Sequence, residues 1–69
     1  MIYIFKTSVT TKKLVKQLKP QLDNICIDGS WNFDLEDFDK ILRLNVSKKV
    51  KEETISFLKS QNILCNELH

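Results

Sequence analysis

Glycine and proline are nearly absent from this chain, with only Gly29 and Pro20 in 69 residues. That scarcity excludes a linker-like or disordered polypeptide. No apolar run approaches the roughly 20 residues of a membrane-spanning helix, and the apolar residues 1–5 are too few, and lack the basic lead, for a secretory signal. The chain is therefore expected to be mature and cytoplasmic, with no membrane partner. Cysteine is limited to Cys26 and Cys65. With nothing else marking a secreted context, both are expected as reduced thiols buried like small apolar residues. A dominant charge is also lacking: 11 basic against 9 acidic side chains leave +2, too balanced for nucleic-acid binding driven by bulk electrostatics. At this length there is space for one domain, residues 1–69, and none for a deep catalytic cleft.

What is present is a strong alternation. Trp31, Phe33 and Leu35 alternate with Asn32, Asp34 and Glu36, and Leu42, Leu44 and Val46 alternate with Arg43 and Asn45, the period-two pattern of half-buried strands. Residues 31–46 thus read as two strands folded back through an acidic turn. Before them, Ile2, Tyr3, Ile4 and Phe5 form a β-prone run that is apolar on both faces, as a central strand requires. Thr10 or Thr11 caps a helix whose Leu14, Val15, Leu18 and Leu22 share one stripe. Pro20 is expected to kink or shorten that helix. Asp23-Asn24 then breaks it, and Asp28-Gly29-Ser30 forms a turn. Ser47 caps a second helix with Val50, Thr54, Ile55 and Leu58 inward and Phe57 at its shoulder. Asn62 ends it in a left-handed conformation, and residues 63–68 suit a final edge strand.

The order βαββαβ, with two right-handed crossovers, predicts an α+β ferredoxin-like sandwich: a four-stranded antiparallel sheet with two helices on one face. Strands one and three are central in it, which places Cys26 and Cys65 at opposite edges. They are then too far apart for a disulfide, which needs Cα atoms within about 7 Å.

With these elements in place the chain resembles the heavy-metal-associated domain family, the small modules of copper chaperones and metal-transporting ATPases. The resemblance covers nearly the whole chain. It rests on Val15, Leu18 and Leu22, on Trp31-Asn32-Phe33-Asp34-Leu35, and on Leu58 with Asn62-Ile63 at the family's usual Gly-aromatic corner. In that family a Met-x-Cys-x-x-Cys loop joins strand one to helix one, and here residues 6–11 occupy it. Ser8 and Thr11 stand at the two cysteine positions, and Lys6 at the packing methionine. Copper(I) needs thiolates, which neutral hydroxyls cannot replace, so the resemblance implies a scaffold whose ligand positions are degenerate and which holds neither a soft metal nor a cofactor. The Lys6 ammonium is expected to stand in for part of the missing positive charge.

Other ligand sets are thin. Cys65 and His69 have a metal-site spacing, with Cys26 a further thiol, but two ligands at a chain end fall short of the usual four. Asp34, Glu36, Asp37 and Asp39 crowd the turn without the central glycine and alternating ligands of a calcium loop. No nucleophile and base pair and no glycine-rich phosphate loop is recognisable, so an enzyme is not expected.

Three functions follow as expectations. The first is a protein-interaction or regulatory module, self-associating or binding a protein partner through an outer sheet face of Tyr3 and Phe5 flanked by Ile41 and Arg43. The second is a small-anion or metabolite sensor in which Ser8, Thr10, Thr11 and Lys12 present hydroxyls, a helix start and a cation, with Lys13 adjacent. The third and weakest is RNA recognition by stacking on Tyr3 or Phe5, which the acidic neighbouring strand opposes.

Overall fold

The computed structural model describes residues 1–68. The elements run β1 (Ile2–Thr7), α1 (Lys12–Ile25), β2 (Ser30–Asp34), β3 (Ile41–Asn45), α2 (Lys48–Ser60) and β4 (Cys65–Leu68). All strand pairings are antiparallel, in the order β2-β3-β1-β4. The architecture is α+β, with β3 and β1 central and β2 and β4 at the edges. No helix among the described residues is long and apolar enough to cross a membrane.

Register decides the faces, because cross-strand partners point to the same side. Tyr3 pairs with Leu44 and Phe5 with Leu42, while Trp31 and Phe33 oppose the same two leucines from β2. This side carries the core. Phe5, Leu42 and Leu44 are buried together with Leu18, Leu22 and Cys26 from α1 and its end, and with Leu58 from α2, so both helices cover one face of the sheet. Trp31, Phe33 and Leu35 pack against that core as their alternation predicts. Val9 and Ile63, from the two connections flanking β1 and β4, close its end.

Both predicted helix starts occur. Thr11 accepts the Leu14 N–H at 3.1 Å and Ser47 the Val50 N–H at 3.3 Å, each holding one of the donors that a first turn leaves free, worth about 1 kcal/mol. Asn62 takes φ 61°, letting the Ile63 N–H return to the Leu58 carbonyl at 3.0 Å. Pro20 behaves otherwise than its chemistry alone suggests: α1 continues past it to Ile25, and the Cys26 N–H closes on the Leu22 carbonyl at 2.8 Å. The turn beyond the proline carries fully buried Leu22, and burying a leucine contributes about 2 kcal/mol toward a lost bond and a ring clash of about 3 kcal/mol.

Candidate functional site

The connection from β1 to α1 is shorter than the family-like loop of residues 6–11, since Lys6 and Thr7 belong to the strand. Thr7 is buried, donating its hydroxyl to the Lys40 carbonyl at 2.7 Å and accepting the Val9 N–H at 3.2 Å. Ser8 is tied to the approach of β4. Its hydroxyl accepts the Leu64 N–H at 2.9 Å, and its own N–H donates to the Leu64 carbonyl at 3.1 Å. Thr11 serves α1 as its cap. The Ser8 and Thr11 hydroxyls are thus directed to different elements and each already holds a backbone N–H. Thr10 and Lys12 are exposed beside them; of the residues expected to contact an anion, Ser8 and Thr11 have their hydroxyls engaged by the backbone N–H groups of Leu64 and Leu14. Lys6 is on the outward face, 3.4 Å from Asp39, so its charge is spent on the β2–β3 turn rather than on this loop.

The outer face also differs from the expected one. Phe5 is 0% exposed and Tyr3 turns to the helices, where the Lys51 ammonium lies 4.6 Å above its ring. Lys51 also donates to Glu67 at 3.0 Å, and that bond holds its pKa above the ordinary lysine value. The parity of Leu42 and Leu44 on β3 fixes which face of β1 is inward, and β1 is apolar on both faces. Ile41 and Arg43 do lie outward, opposite Lys6 and Ile4. Ile41 is only 5% exposed between Lys6 and Asp34, its neighbours on either side, and Arg43 pairs with Asp34 at 3.5 Å. On the strands, the apolar surface in the open is instead Ile2 at 64%, Ile4 at 38% and Leu68 at 42% exposure, with Leu68 directly across from Ile4, while Met1, Ile27, Phe38 and Leu64 are exposed outside the strands. The parity of β3, carried across the ladder, would have found the first two.

Base stacking on the sheet loses its platform, because Tyr3, Phe5, Trp31 and Phe33 all belong to the helix-facing side. The acidic turn is internally committed as well. Asp34 accepts the Asp37 N–H at 3.2 Å and Asp37 accepts the Asp39 N–H at 2.8 Å, while Lys40, in the left-handed region at φ 52°, reaches the Leu35 carbonyl at 2.9 Å. No group of three or more His, Cys, Asp or Glu side chains able to hold a metal occurs among the described residues. His69, the proposed companion of Cys65, lies outside them.

Both cysteines are free. Cys26 is buried with Sγ 3.7 Å from the Thr54 hydroxyl, and desolvation raises its pKa. Burial likewise pushes the Cys65 thiol up from 9.0 to about 11. A raised thiol pKa means that the folded state holds its proton where the unfolded chain releases it, so the Cys65 contribution to stability is complete below pH 9 and declines toward pH 11. At pH 9, Cys65 in the folded protein is expected to react with iodoacetamide at least about tenfold more slowly than in urea, because the thiolate is the nucleophile. Mass spectrometry of the modified site measures this, and equal rates would contradict the burial argument.

No protein-family model matches the chain, and no curated protein and no solved structure is significantly similar to it.

Proposed function

We propose that this chain is a small cytoplasmic interaction module: a ferredoxin-like domain, similar to the heavy-metal-associated modules but without their soft-metal chemistry, that self-associates through the outward face of its sheet. The strand order and the placement of both helices on one face support the ferredoxin-like reading. The functional reading is carried by one observation, the contiguous apolar surface of Ile2, Ile4 and Leu68 on the face that no helix covers. Contiguous exposed apolar surface marks association sites. A two-fold axis through the face would set Ile4 against its copy, the two sheets stacking about 10 Å apart. The charges on this face do not oppose it, since Lys6 and Arg43 are neutralised by Asp39 and Asp34.

The expected result in sedimentation equilibrium is a monomer–dimer equilibrium for the natural chain and a monomer for Ile4→Glu. Dissociation constants between about 1 μM and 1 mM correspond to roughly 8 and 4 kcal/mol and lie within reach of that measurement. A natural chain that stays monomeric to about 1 mM overturns the reading. Ile4→Glu must retain its far-ultraviolet dichroism, which an outward side chain allows.

A further inference from the structure

The other sheet edge carries a feature independent of the face just described. β2 pairs only with β3, so one side of its backbone has no strand beside it. Natural edges are guarded by lysine, proline, a bulge or a covering element, and the β2 sequence Ser-Trp-Asn-Phe-Asp contains none of the first two. Its lower half is tied to α1 by side chains: the Trp31 indole donates to Asp23 at 2.9 Å, and Lys19 grips the same carboxylate at 2.8 Å, clamping the helix to the strand. Its upper half is open. There α1 and residues 32–36 leave a cleft of about 450 Å³, floored by Val15, Phe33 and Leu35, with Lys12 and Lys16 one helical turn apart on the α1 rim.

Charge gives the cleft a polarity. Among the described residues Lys12 and Lys16 belong to no ion pair, whereas Asp34 on the opposite rim is already held by Arg43. The unspent charge on the helix side is positive, and Glu36 marks the end of the cleft that an acidic group would avoid. We propose that this cleft takes an extended peptide, added as a fifth strand beside β2, with an apolar side chain over Phe33 and Val15 and an acidic side chain beside Lys12 and Lys16. Backbone bonds to the free edge supply affinity and the alternate side chains supply selection. Side chains on the peptide's other parity lie beside Asn32 and are polar. The clamp at Trp31 sets the lower limit of the peptide, and five residues match the open stretch 32–36 that lines the cleft.

The test uses the whole chain, labelled with nitrogen-15, and the peptide acetyl-Val-Thr-Glu-Thr-Val-amide, whose valines and glutamate share one parity. Titration is expected to shift the amides of residues 30–36 together with those of Lys12, Val15 and Lys16. A Lys12→Glu/Lys16→Glu protein should bind it at least about tenfold more weakly, and the peptide with lysine in place of glutamate should recover that loss, since reversing both partners restores attraction. Both lysines are exposed, so folding is not at risk. N-methylation at alternate peptide bonds separates strand pairing from simple side-chain docking: one parity should abolish binding and the other leave it intact. The proposal is overturned by peptide shifts that miss residues 30–36, by both methylated peptides binding equally, or by shifts at 30–36 that depend on protein concentration without peptide. The last would mean that a second copy occupies the edge.

Discussion

Phe5→Ala is expected to remove most of the stability of this protein, whereas Ile4→Ala, one residue away on the same strand, leaves it folded. Phe5 is fully buried on a central strand, paired with buried Leu42, and truncating a buried phenylalanine costs roughly 3–5 kcal/mol. Domains have about 0.05–0.15 kcal/mol of stability per residue, hence roughly 3–10 kcal/mol at this size. The loss is therefore comparable to the total. Ile4 retains 38% of its surface in water and faces away from both helices, so its truncation leaves no core cavity and should cost about 1 kcal/mol or less. Urea unfolding followed by circular dichroism reads both values. Equal losses would mean that β1 presents its other parity to the core, and with it the assignment of Ile2, Ile4 and Leu68 to the outer face would fail.

That comparison also marks where the sequence stops being informative. Trp31, Phe33, Leu42 and Leu44 were legible as inward because their alternates are polar: Asn32, Asp34 and Arg43 leave one parity free to be buried. Thr11, Ser47 and Asn62 were legible because capping and left-handed turns are local chemistry, complete within three or four residues. β1 was not legible in this way. Both of its parities are apolar, so its orientation is set by a partner strand far along the chain, through pairs such as Tyr3 with Leu44. The same limitation put Tyr3 and Phe5, rather than Ile2 and Ile4, on the expected binding face. Lys40 illustrates a second kind of miss. Lysine has no intrinsic preference for positive φ, and its conformation is held from outside, by the Thr7 hydroxyl on its carbonyl and by its own N–H on Asp37.

The loop at residues 8–11 is a third case. The Ser8 and Thr11 hydroxyls were readable as unable to hold a soft metal, but not as structural ties. Ser8 now ties the start of α1's connection to the residue that precedes β4, 56 positions later. In this chain the loop works as a clasp between β1, α1 and β4, with Val9 sealed beneath it.

Gly29→Ala is expected to destabilise the fold by about 2–3 kcal/mol, through collision rather than through backbone dihedrals. No glycine here has positive φ, so alanine can adopt the local conformation. The obstacle is space: a Cβ at residue 29 would collide with the Asn45 carbonyl oxygen and meet Val46 Cγ1 at 2.8 Å. The first contact is with backbone at the end of β3, where Asn45 pairs with both Ser30 and Ile2, so relief requires β2 and β3 to separate at the end away from their connecting turn. At about 4–8 °C per kcal/mol for a domain of this size, the melting temperature should fall by roughly 10–20 °C. Calorimetry of the double variant Gly29→Ala/Val46→Ala separates the two contacts. Shortening Val46 clears its methyl but leaves the carbonyl in place, and it opens a cavity of its own, so the double variant should be no more stable than Gly29→Ala alone. Recovery to the stability of the natural chain would show that the side chain, and not the backbone of β3, is what excludes a Cβ at this turn.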